Sequence, residues 1–175
     1  MKQLLVLTML FLLSTPSHAD KELYFKAGGY GCAACHGKYA NGGNNVGGNI
    51  RGADLAKLDR ALANEPTMQL LGPTLDEQQR ASLVQYLAEL DQYQLIEWQL
   101  KADSNTVKVT FEQDKPLQLV IFNSTLQAVD LDLTPIGLDS SLTIAAYDTQ
   151  SVEWQASEPN YTLTINHQQL VLNKQ

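Results

Sequence analysis

Hydrophobic and polar positions divide the chain into three stretches with different periods. Leu4 to Leu13 is an apolar run behind Lys2, closed by Ser14-Thr15-Pro16-Ser17-His18-Ala19. From Asp20 to Tyr93 the apolar positions recur at helical spacing. Leu55, Leu58 and Leu62 share one face, and Leu83, Val84, Leu87 and Leu90 form another stripe. From Gln94 onward the period is two: Ile96, Trp98, Leu100; Val107, Val109, Phe111; Leu117, Leu119, Ile121; Val129, Leu131, Leu133; Leu142, Ile144; Tyr161, Leu163, Ile165. Turn-like pieces separate these runs, among them Asp103-Ser104-Asn105, Gln113-Asp114-Lys115-Pro116 and Glu158-Pro159-Asn160. Asn166-His167-Gln168-Gln169 turns a last hairpin into Leu170-Val171-Leu172. The pattern predicts three helices and then seven or eight short strands. The helices run through Asp20 to Tyr30, from Asp54, and from a capping box at Thr74-Leu75-Asp76-Glu77 to about Leu90. The fold class is multidomain, α then β.

The first stretch has the order of a secretory signal: a positive end, a short apolar core, then small residues before a cut between Ala19 and Asp20. Its apolar run is about half of the ~20 residues that a spanning helix needs. No later segment approaches that length, so the mature chain is expected to be exported to the periplasm without a membrane span. Twelve Lys and Arg against nineteen Asp and Glu give a net charge of −7. The leader removes Lys2 and no acid, so the balance becomes more acidic. That excludes nucleic acid and an anionic membrane surface as partners and favours a protein with a basic docking patch.

Candidate chemistry is concentrated in Cys32-Ala33-Ala34-Cys35-His36, which holds both cysteines of the chain. Two thiols three positions apart followed by His read as the attachment site of a covalent haem c, with His36 as a metal ligand. Three other readings stand beside it. A thioredoxin-like pair would follow a strand in a βαβ unit, a zinc site would need four ligands, and an exported protein could close a disulfide. Met68 is the sole methionine outside the leader, and core packing is its plain alternative. Nine of the eleven glycines fall between Gly28 and Gly52, as in a loop wrapped closely on a flat ligand.

On the CAACHG box (Cys32 to Gly37), GGNIRG (Gly47 to Gly52), Met68 and the closing helix LDEQQRASLVQYLAEL (Leu75 to Leu90), residues 24–91 resemble a small bacterial monohaem cytochrome c. The resemblance implies a small all-α cytochrome c fold for residues 20–93, with Cys32 and Cys35 holding the haem and His36 and Met68 as the two metal ligands. It also implies that the Gly48 carbonyl, where many relatives have a proline, accepts the proximal imidazole N–H. Tyr86 would contact the first helix. Arg51 would pair with a haem propionate or stay solvated.

Residues 94–175 read as a small antiparallel β-sandwich. KPLQLVIFNSTLQAVDLDL (Lys115 to Leu133) resembles a cupredoxin, but residues 94–175 have one His, His167, and neither Cys nor Met. A blue-copper site is thereby excluded. The function expected from this reading is a periplasmic one-electron carrier using haem c, acting on a redox partner protein and not as an enzyme. The alternatives are a haem-based small-ligand sensor or an accessory haem subunit of a larger oxidoreductase. The signal assignment has a direct check: the intact mass of the exported protein should correspond to a chain beginning at Asp20. A mass that retains the leader would refute it.

Overall fold

The computed structural model describes residues 19–43, 45–112 and 114–175. The leader expected at residues 1–19 falls, apart from Ala19, outside them. Among the described residues five α-helices come first: α1 (Ala19–Lys26), α2 (Ala33–His36), α3 (Leu55–Asn64), α4 (Pro66–Gln69) and α5 (Glu77–Asp91). Eight strands follow: β1 (Gln94–Leu100), β2 (Asn105–Phe111), β3 (Leu117–Asn123), β4 (Val129–Asp132), β5 (Ser141–Ile144), β6 (Thr149–Trp154), β7 (Asn160–Ile165) and β8 (Gln168–Lys174). Among the described residues no helix is long and apolar enough to cross a membrane.

The helices pack on a core of their own. Tyr24, Leu62, Leu75, Leu83, Tyr86, Leu87 and Leu90 are buried together, with the Tyr24 and Tyr86 rings 5.3 Å apart. The stripe on α3 is graded: Leu62 is buried, Leu58 half-buried and Leu55 exposed. Helix α5 begins one capping box later than the sequence suggests. Asp76 caps the Gln79 amide, and the Gln79 side chain accepts from the Asp76 amide. Asp76 wins over Thr74 because Thr74 is spent on a short 3-10 turn, its hydroxyl donating to Leu71 O. Arg80 on α5 donates to Leu75 O, Gly72 O and Asp59.

The strands form two three-stranded sheets, β1-β3-β6 and β2-β8-β7, and a ribbon β4-β5. Their inner faces share a core in which Leu100, Phe111, Leu117, Leu119, Ile121, Leu131, Ile144, Leu163, Leu170 and Leu172 are fully buried. Strand β6 (TQSVEW) has little alternation, and the sequence pattern missed it. Strand β3 (LQLVIFN) is central in its sheet and buried on both faces, because the helical segment covers its outer side.

The expected fold class is corrected in both halves. The helical content is modest: α2 and α4 have four residues each, and α5 at fifteen is the longest. Glycines between 28 and 52, Pro66 and Pro73 interrupt the helical period, so the segment is short helices around an irregular loop and not a small all-α cytochrome c fold. Nor are the sheets purely antiparallel. Strands β1 and β3 pair in parallel, as do β2 and β8. The chain leaves β1 for the other sheet at β2 before it returns at β3. That crossing supplies the long connection a parallel pair needs.

Asn123 ends β3 and is fully buried. Its Nδ2 donates to Gln127 O, Ile144 O and Ala145 O at 2.8–3.1 Å, and its Oδ1 accepts from the Thr125 amide and hydroxyl. One side chain thereby pins the β3–β4 turn to the end of β5. Asn123→Ala should cost about 2–3 kcal/mol by stranding buried carbonyls. Asn123→Asp should cost more at pH 7, since a carboxylate would face the same three carbonyl oxygens. Burial would raise that carboxyl's pKa in the folded state. The Asp variant should therefore recover relative to wild type as pH falls towards 4, and lose stability again as pH rises. Urea unfolding at pH 4 and 7 measures both; an Asp variant with no pH-dependent deficit would refute the role.

Candidate functional site

The site grows from a short helix and the glycine loop that folds back over it. Cys32 is the N-cap of α2, and its amide donates to Tyr24 O at 2.8 Å. The Tyr24 hydroxyl, buried with its ring, donates to Gly37 O at 2.7 Å. Gly31 must be glycine here: its φ is +72°, and a Cβ would stand 2.2 Å from Phe25 O. Beyond α2 the loop returns through three backbone bonds, Gly42 N to His36 O, Gly47 N to Cys35 O and Ile50 N to Ala40 O. Gly52 N then donates to Leu87 O on α5.

His36 is buried beneath this loop, 7% exposed. Its Nδ1 lies 3.0 Å from Gly48 O. A carbonyl only accepts, so Nδ1 carries a proton, and in the neutral ring Nε2 is the nitrogen with the lone pair. The backbone at Gly47 seals the ring, since a Cβ there would stand 2.6 Å from Nδ1. Both cysteines are free thiols in different surroundings. Cys32 is buried in the helical core and Cys35 is exposed. Burial pushes the Cys32 thiol up to about 11, with Cys35 adding to the rise. Met68 lies on α4, half-buried against the same core.

The loop is also fastened to the β unit. The Lys38 ammonium donates to Thr149 O at 2.7 Å and pairs with Asp148 at 3.5 Å. Asn41 Nδ2 donates to Glu97 Oε1 at 2.6 Å. The Arg51 guanidinium donates to Gln118 Oε1 at 2.6 Å and to Leu90 O, and Gln118 donates on to Glu153. Burial lowers the Arg51 pKa, opposed by Asp91 and Glu153. Arg51 is thus held by protein acceptors and is not simply solvated. Asn41, Glu97 and Gln118 carry no motif that sequence reading could have caught.

The candidates are only partly gathered. Cys32, Cys35 and His36 share one turn, and Met68 reaches their core from α4. His167 stands apart, exposed in the β7–β8 turn, where it lines a cleft of about 820 Å3 with Lys101, Asp103 and Ser124. Among the described residues no group of three or more His, Cys, Asp or Glu side chains gathers as a metal-ion site.

No protein-family model and no curated protein matches the chain. Among solved structures it is similar to the metal-binding domain of the Cu(I)-exporting P-type ATPase CopA of Streptococcus pneumoniae: 10% identity over 49% of this chain and 88% of that one, TM-score 0.38. A laccase from Pediococcus acidilactici gives 8% identity over 42% and 20%, TM-score 0.34. A mutant amicyanin with Cu(I) gives 8% over 46% and 82%, TM-score 0.33. Likenesses this slight assign neither a family nor a ligand. Those named are copper-binding and cupredoxin-like β proteins. With the short, interrupted helices described above, the cytochrome c resemblance is not upheld. The haem c cofactor, the haem electron carrier and its two haem-based alternatives are corrected with it. Nor does a cupredoxin's copper fit the β unit, where His167 is the lone candidate donor among its His, Cys and Met.

Burial separates the two thiols in reactivity. With its thiol pushed up to about 11, Cys32 is almost wholly protonated at pH 8. Brief treatment of the folded protein with iodoacetamide should therefore label Cys35 and spare Cys32, while in urea both should react. Peptide mass spectrometry reads the result; equal labelling in the folded state would refute the burial.

Proposed function

We propose that the chain is an exported binding protein, not an enzyme, whose helical segment holds a transition-metal centre and whose acidic surface docks on a basic partner in the periplasm. The observation that carries the first half is the pinned imidazole of His36. A ring whose Nδ1–H is held by a backbone carbonyl presents Nε2 in a set direction, the arrangement typical of metal-ligating histidines. The sulfur groups that would complete such a centre are Cys35, exposed in the same turn, and Met68, half-buried against the same helical core. Thiolate and thioether suit the softer transition metals, and imidazole suits several of them. Cys32 packs the core beneath. Among the described residues no acid–base pair or activated nucleophile accompanies the donors, which supports binding over catalysis. The excess of acidic residues supports a cationic partner surface and a salt-sensitive encounter.

The test is the metal content of the full chain purified from the periplasm, by elemental analysis for copper, iron and zinc. About one equivalent of a single metal is expected in the wild type. His36→Ala should remove most of it, and Met68→Leu should weaken its retention against a chelator about tenfold or more. A protein free of metal when purified, and still free after reconstitution with each ion, would overturn the reading.

A further inference from the structure

The Gly48 carbonyl that holds His36 lies in a loop with little stiffness of its own. Gly42, Gly43 and Gly48 all have positive φ, and glycine resists such freedom least of all residues. The loop is braced from across the chain. Asn41 and Asn49 form an isolated antiparallel bridge beside Gly48. The two strands of that bridge touch: a Cβ on Gly42 would stand 2.9 Å from the Gly48 carbonyl carbon. Asn41 is 9% exposed, and its amide donates to the Glu97 carboxylate at 2.6 Å. Glu97 lies on β1, held in register opposite Val120 of β3. Asn41, Gly42, Gly48 and Glu97 line a single cleft of about 390 Å3 between loop and sheet.

We propose that Glu97 and Asn41 are positioning residues through which the β unit sets the orientation and tautomer of His36. The carboxylate makes a charge-assisted bond to Asn41, stronger than a bond between neutral partners. Asn41 is thereby fixed against β1, the bridge to Asn49 follows, and Gly48 O is held where it accepts from Nδ1. Without that brace the glycine loop shifts, Nδ1 loses its acceptor, and the proton exchanges between the two ring nitrogens. This deepens the metal-site reading but is tested on metal-free protein, so the two fail separately.

The experiment is long-range proton–nitrogen NMR of the full mature chain labelled with 15N-histidine, stripped of metal with a chelator, at pH 8. The mature chain has two histidines, and His167→Ala identifies the signals of His36. The wild type should show one tautomer, with Nδ1 protonated and Nε2 bare. Glu97→Ala and Asn41→Ala should each give averaged nitrogen shifts. Glu97→Gln should keep the wild-type pattern, because its amide oxygen still accepts from Asn41. Asp148→Ala, which removes the ion pair from the separate tie through Lys38 and leaves its bond to Thr149 O, should also keep it. If Glu97→Ala does not fold, Asn41→Asp takes its place, setting one carboxylate against another. Wild-type His36 signals in the folded brace variants would overturn the proposal. So would an Asp148→Ala effect as large as that of Glu97→Ala, which would mark general loosening.

Discussion

Strand β3 must be covered on both faces, and much of the molecule depends on how that is met. Its inner side chains, Leu117, Leu119 and Ile121, complete the core between the two sheets. Its outer side presents Gln118, 1% exposed, which would be costly to bury without partners. Arg51 donates to it from the helical segment, and Glu153 accepts from it across the same sheet. The outer cover of the sheet is therefore the loop that also holds His36. Packing of the β unit and geometry of the candidate site meet at one surface.

That coupling explains why a glycine-rich loop is tolerable beside a buried imidazole. The loop gains order from three directions: Tyr24 and Leu87 on the helical side, its own bonds to Cys35 and His36, and Glu97, Gln118 and Thr149 on the sheet. Each bond contributes modestly, about 0.5–1.5 kcal/mol or more where a charge takes part. Together they replace the side-chain packing that glycine cannot provide. The arrangement also separates two kinds of thiol within one turn, since α2 turns Cys32 inward and leaves Cys35 exposed.

Local pattern was a good guide wherever a side chain's neighbours are close in sequence. The stripe Leu83, Leu87, Leu90, the alternations around Trp98 and Leu163, and the turn at Asn166-His167 all appear in the structure. It misled where pairing is distant. Alternation says that a strand has a buried face but not which strand lies beside it, so the parallel pairs β1–β3 and β2–β8 were read as antiparallel. Weak alternation hid β6, whose partner β3 supplies most of the apolar surface. The cytochrome c reading failed in the same way, because a five-residue motif and a closing helix say little about how the intervening glycines pack.

What the sequence determined by itself was chemistry and period: which residues are thiol, imidazole and thioether, where helical spacing gives way to alternation, and the acidic balance. These are properties of the residues or of their near neighbours, and no fold is needed to read them. What only the tertiary structure decided was contact. It placed Glu97 against Asn41 and Gln118 against Arg51, pairs separated by fifty-six and sixty-seven residues, whereas the contact of Gly48 O with Nδ1 of His36 is one the sequence resemblance already implied. Polar pairs of that kind leave no periodic trace, because a hydrogen bond requires two groups at one place and nothing of the residues between them.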